Sequence, residues 1–125
     1  MNRDELYLTH IADAIAYIKE DSASGREHFL RDRRTQQLVF HNLQIIGEAV
    51  KGLSPETRQA APHVPWTKIA GLRNELVHNY DGIDAVRIWD VIERRLPDLE
   101  TAVNALLMVV QAANDRRDAD PTSGD

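Results

Sequence analysis

The chain has no cysteine in its 125 residues. Disulfides, zinc–thiolate centres and a cysteine nucleophile are therefore excluded, and the usage fits a reducing compartment. Its five histidines, His10, His28, His41, His63 and His78, are scattered with no HExxH or comparable ligand spacing, so neither a metal nor another cofactor is expected. There is no glycine-rich phosphate loop and no GxSxG elbow. The longest apolar run, Ala105 to Val110, is far too short to span a bilayer. No basic start leads into an apolar stretch, so a cytoplasmic protein without a secretion signal is expected. A basic excess is missing too: the formal net charge is −5. That argues against a general RNA or DNA coat, which needs a cationic surface. It leaves room for a local basic site, because Arg26, Arg31, Arg33 and Arg34 cluster in sequence and Arg73 can join them in space. What remains is ordinary for a soluble single domain: 42% hydrophobic and 28% charged residues, enough to build a core without staples.

The apolar residues recur at helical spacing, and no strand pattern competes with them. Leu8, Ile11, Ile15 and Ile18 predict a helix from about Asp4 to Glu20. Asp21 to Gly25 reads as a loop, with Phe29 anchoring the chain after it. Val39, Leu43, Ile46 and Val50 define a second helix that begins near Asp32 or Arg33 and stops at Lys51-Gly52. Gly47 sits inside it at a cost in propensity, which close helix packing would explain. Ser54-Pro55-Glu56 can start a short helical piece. Trp66, Ile69, Leu72, Leu76 and Val77 give the apolar side of a third helix, ending close to His78-Asn79. Asp84 can cap a fourth, carried by Val86, Trp89, Ile92 and Leu96. Pro97 then predicts either a kink or a new helix, with Leu99, Val103, Leu106, Leu107 and Val110 continuing the face. The expected fold is all-α, an antiparallel bundle of four to five helices over residues 1–114, with a polar, disordered tail over 115–125.

The densest chemistry lies in GLRNELVHNYDG, residues 71–82. Arg73, Asn74, His78 and Tyr80 fall within eight positions. Arginine grips phosphate with a planar fork. Histidine carries protons near neutral pH. Together they could cleave RNA without a metal: a base for the 2′-hydroxyl, an acid for the 5′-oxygen, and a cation for the charged phosphorane. Arg73 and His78 are five apart, roughly 140° around a helix of about 3.6 residues per turn. They converge only if the helix ends at His78, if long side chains reach, or if two copies meet across a symmetric seam. The plain alternative is that Arg73 pairs with Glu75 or a neighbouring acid and that His78 merely ends a helix. Glu48, beside the apolar face, can pair with an arginine from another helix. His41 is expected to be partly buried, and Trp66 and Trp89 to enter the core.

Three blocks carry a resemblance across roughly residues 5–110: TQQLVFHNLQIIGEAVKGLS (35–54), VPWTKIAGLRNELVHNYDGID (64–84) and VRIWDVIERRLPDLE (86–100). In order and spacing they resemble the HepT-like toxins of the HEPN superfamily. The resemblance implies a HEPN-like helical homodimer whose Arg-x4-His-x-Tyr motif is Arg73, His78 and Tyr80. It implies that Arg73 and His78 are the catalytic pair of a metal-independent endoribonuclease, with Asn74 at the variable polar position in support. It implies that the two motifs of a dimer face one cleft, which Arg31, Arg33 and Arg34 could line for RNA binding. It further implies an antitoxin partner, an MNT-type nucleotidyltransferase that transfers AMP onto Tyr80. The adduct would add negative charge and bulk where RNA phosphate must bind. Against this stands a non-catalytic reading, a dimeric module that docks a nucleotidyltransferase and cleaves nothing, and a purely structural helical dimer.

Overall fold

Four helices start where the chain supplies a side-chain acceptor for their first amides. In the computed structural model, which describes residues 2–78 and 82–119, α1 (Arg3–Asp21) is capped by Asn2, whose Oδ1 accepts from the Glu5 amide at 2.8 Å. α3 (Arg33–Gly52) is capped by Asp32, and α4 (Pro55–Gln59) by Ser54 with proline following. α5 covers Trp66–His78, and Asp84 caps α6 (Ala85–Asp90) by accepting from the Val86 amide at 3.0 Å. Between α1 and α3 the chain forms one helix that its spacing does not announce. α2 (Arg26–Arg31) is a turn and a half that buries Phe29 completely. Gly25 enters it at φ 94°, a left-handed conformation that glycine adopts without penalty.

The Pro97 alternatives resolve into a third arrangement. α6 passes into a π-helical turn, Val91–Arg95, and α7 (Leu96–Ala119) follows without a break. The Leu96 amide reaches back to the Val91 carbonyl, five residues away. The wider turn gives the proline ring space from the carbonyl four residues before it. The rod therefore keeps its course through a residue that normally breaks helices. α7 remains helical through Asp115 to Ala119, past the position where the polar tail is expected to begin.

Tie points fix the directions of the helices. Asp4, at the start of α1, accepts from the Ser54 amide at the end of α3 (2.9 Å). Asn2 bonds Asn114 late in α7 (2.9 Å), while Lys19, late in α1, bonds Glu100 early in α7 (3.2 Å). α1 is thus antiparallel to both neighbours. α1 packs mainly on α3, α3 on α5, and α1 on α7. Leu8, Ile11, Ile15 and Ile18 meet Val39, Ile46, Val50 and Val103 in the core, all at most 1% exposed. Each such side chain contributes about 1.5–3 kcal/mol by leaving water. Trp66 is buried, its indole N–H donating to the carbonyls of Arg58 and Ala61. Trp89 is only partly buried: its ring lies 5.5 Å from Phe29 and its N–H donates to Glu93. His41 is exposed, contrary to expectation. It precedes Leu43 by two positions, and two residues turn a helix about 200°, to the opposite side. Val77 is also exposed, at 44%, leaving Leu76 as the buried residue of that turn. Among the described residues no helix is long and apolar enough to cross a membrane.

The Asp4 carboxylate also accepts from the hydroxyls of Ser54 and Thr57, both at 2.6 Å. Burial pushes its pKa up, but these donors outweigh burial and hold Asp4 below its ordinary value. A depressed pKa stabilises the fold above the unfolded carboxylate pKa, near 4, and that contribution is lost as pH falls through the folded value. Asp4→Ala is expected to cost about 2 kcal/mol at pH 7, the scale of hydrogen bonds to a charged group. Urea unfolding at pH 7 and pH 3 checks it: the gap from wild type should shrink at the lower pH.

Candidate active site at the seam of α3 and α5

The centre of the site is a place where two helices come closer than side chains normally allow. A Cβ built on Gly47 of α3 would lie 2.5 Å from the Arg73 Cβ and 3.3 Å from the Ile69 carbonyl oxygen, both on α5. Glycine is therefore required for this contact, and the close packing expected of Gly47 has a specific partner, Arg73. One residue on, the Glu48 carboxylate forms an ion pair with the Arg73 guanidinium, 3.0 Å from its Nε. The ion pair is at the surface, with side-chain exposures of 34% for Arg73 and 63% for Glu48, so it contributes little stability. Its effect is orientation. Glu75, the acid next to Arg73 in sequence, pairs with Arg87 of α6 instead.

Arg73 Nη1 also donates to Asn74 Oδ1 at 3.2 Å. A guanidinium has five N–H donors. One is hydrogen-bonded here, Glu48 lies against the Nε side as an ion pair, and the other donors have no acceptor among the described residues. The Arg73 backbone is fixed by the seam, its Nε edge faces a carboxylate, and its remaining donors meet no acceptor among the described residues. His78 is the last residue of α5 and is exposed. It follows Arg73 by five residues, about 7.5 Å along the axis and 140° around it, given the usual rise and turn. The two side chains leave one helix in different directions, so a substrate touching both must bridge the end of α5 or be shared with a second chain. Tyr80, the expected acceptor of AMP, lies outside the described residues.

The arginine cluster is elsewhere. Arg31 ends α2 and bonds the Glu27 carbonyl, while Arg33 and Arg34 open α3; all three are exposed. Arg33 precedes Gly47 by fourteen residues, roughly 20 Å of helix. Within one chain the cluster does not line a cleft with Arg73. Among the described residues no group of three or more His, Asp or Glu could hold a metal ion.

Comparison with known proteins adds the family. The model of the HepT-like ribonucleases matches residues 11–106, which include α5 and its Arg73 and His78. The chain is similar to a protein of Caldanaerobacter subterraneus named "Putative RNase", 37% identical over 102 residues, 81% of this chain and 91% of that protein. It is also similar to the "Probable ribonuclease HepT" of Thermococcus cleftensis, 37% identical over 95 residues, 75% of this chain and 86% of that one. No solved structure matches significantly. With a family model covering most of the bundle and relatives matched over most of both lengths, this chain belongs to the HepT-like ribonuclease family.

Proposed function

We propose that the chain is the toxin of a toxin–antitoxin pair, a metal-independent endoribonuclease that works as a homodimer with Arg73 and His78 as its catalytic pair. The observation that carries this reading is the state of Arg73: clamped at the α3–α5 seam, oriented by Glu48, and with donors that no described residue accepts. His78 takes the proton of a ribose 2′-hydroxyl. The 2′-oxygen attacks the adjacent phosphorus, the bond to the 5′-oxygen breaks, and the departing oxygen takes a proton from a histidine, the same one or its dimer copy. Arg73 stabilises the negative charge that builds on the phosphorane. The products are a 2′,3′-cyclic phosphate and a 5′-hydroxyl. Asn74 supports the arginine through its Oδ1, and Arg31, Arg33 and Arg34 are a distal contact for the strand's phosphates.

The partner in this proposal is an MNT-type nucleotidyltransferase that silences the toxin by transferring AMP to the Tyr80 hydroxyl. An adenylate there competes for the Arg73 donors and fills the space of the RNA phosphate. The experiment is cleavage of total cellular RNA by protein of confirmed unmodified mass, in chelator, with end-group analysis. Cyclic-phosphate ends from wild type and none from His78→Ala support the reading. Intact RNA with folded wild-type protein overturns it and leaves the docking module in its place. For the partner, incubation with the nucleotidyltransferase and ATP should add one or more AMP masses to wild type and none to Tyr80→Phe.

A further inference from the structure

A concave site also borders α5 on the side that faces the rod. A cleft of about 320 Å³ opens between α5 and the rod formed by α6, the π turn and α7. That volume is at the lower end of small-ligand sites, enough for a planar ring system. Its floor is apolar, with Ile69 and Leu72 from α5 facing Val91 and Leu99 from the rod. Its rim is largely cationic. Lys68 stands on the α5 side and Arg95 on the rod side; both are exposed, and neither has a salt-bridge partner among the described residues. Arg87 also lines the cleft but is neutralised by Glu75. Two carboxylates reach the rim as well: Asp90, paired with Arg94 at 3.0 Å, and Asp98.

We infer that this cleft is an RNA subsite, separate from the cutting residues, that takes one nucleotide of the substrate with its base against the apolar floor and its phosphodiester at Lys68 and Arg95. The inference rests on the ribonuclease reading and names where that substrate is held. The chain is acidic overall, so two cations with no salt-bridge partner among the described residues, flanking an apolar slot, select for something anionic with a flat apolar face. A nucleotide within a strand meets both demands. Asp90 and Asp98 disfavour a terminal phosphate with a second negative charge and tolerate the single charge of a diester better. The π turn contributes directly, since its first and last residues, Val91 and Arg95, line floor and rim. Lys68 lies ten residues before His78, roughly 15 Å along α5. A strand held in the cleft therefore meets the cutting residues a few nucleotides away, and recognition is displaced from cleavage.

The test uses full-length protein and a uridine oligonucleotide methylated at every 2′-oxygen, which has no attacking hydroxyl and cannot be cut. Isotope-labelled protein titrated with it should show resonance shifts at Lys68, Leu72, Val91 and Arg95. The double variant Lys68→Glu, Arg95→Glu should weaken binding by tenfold or more. Its slope of log affinity against log salt should be shallower by about 0.7 for each lost phosphate contact. Both residues are exposed, so the variant should fold, and an unchanged melting curve verifies that. In cleavage the same variant should raise KM with kcat nearly unchanged, whereas His78→Ala removes kcat. Binding and salt slope equal to wild type would overturn the subsite while leaving the ribonuclease reading standing. Loss of partner-protein binding with RNA binding intact would overturn it too, assigning the cleft to protein docking. A wild type that cuts nothing would fail the ribonuclease reading, and the titration would still report on the cleft.

Discussion

His78→Ala is expected to lower RNA cleavage by about a hundred- to ten-thousand-fold, the usual contribution of a positioned acid–base group. The loss should come without unfolding, since His78 is exposed at the end of α5 and contributes nothing to the core. Arg73→Ala should lose about a hundred- to a thousand-fold through the missing charge at the phosphorane. Arg73→Lys keeps the charge but not the planar fork that meets Glu48 and a phosphate together, and should recover only part of the rate. The double variant should be little worse than the poorer single one, because the two groups act on one transition state. Single-turnover cleavage in chelator measures all four, with melting curves as the control for fold. Undiminished cleavage by both alanine variants would remove Arg73 and His78 from the chemistry.

Gly47→Val should be among the most damaging single changes away from the reacting groups. Replacing a mid-helix glycine normally helps, by about 0.5–1 kcal/mol for alanine. Here the first added carbon meets the Arg73 Cβ at 2.5 Å, and beyond it the Ile69 carbonyl and the Arg73 Cα at 3.3 and 3.4 Å. None of these is the free end of a flexible side chain, so the helices must separate. Overpacking of this kind costs about 1–3 kcal/mol, more than the propensity gain, and valine adds two further methyls. A fall in Tm of roughly 5–10 °C is expected, with Gly47→Ala intermediate. Cleavage should fall further than the unfolded fraction explains, because the backbone that shifts carries Arg73. Calorimetry, together with kinetics at a temperature where the variant is folded, separates the two effects. A Gly47→Ala protein as stable and as active as wild type would mean that the seam gives way freely.

The helices with long apolar stripes were legible because burial there is periodic: Leu8 to Ile18 and Val39 to Val50 mark α1 and α3 without help from tertiary structure. α2 was not, since six residues with one buried side chain, Phe29, leave no period to read. Pro97 signalled disruption, but the choice of a π turn depends on how the rod packs on both sides of it. Glu48 was recognisable as a carboxylate in need of an arginine. Its partner was hidden because Arg73 is twenty-five residues away, and only the glycine at 47 lets the two helices meet. The family resemblance, rather than the spacing alone, pointed to Arg73 and His78, and the structure adds what holds the arginine. The arginines at 31, 33 and 34 look like one cluster with Arg73 until the length of α3 intervenes. The cleft left no trace in the sequence, because Lys68 and Arg95 lie on different helices and each looks like an ordinary solvated cation.

The π turn also decides where this chain can change length. A π turn holds one residue more than the α-helical turn it replaces. Removing one residue between Val91 and Arg95, with Pro97 replaced by alanine so that no ring needs the wider turn, would let the rod wind as plain α-helix and still deliver Leu99, Val103 and Leu106 to the core face. The same deletion in the middle of α3 would rotate everything after it by about 100° and turn half of its stripe to water. Deletions in the helical body should therefore collect ahead of position 97, and should come together with loss of the proline there. Because Arg95 stands on that turn, drift in length there would reshape the rim of the cleft and leave the Arg73 seam untouched.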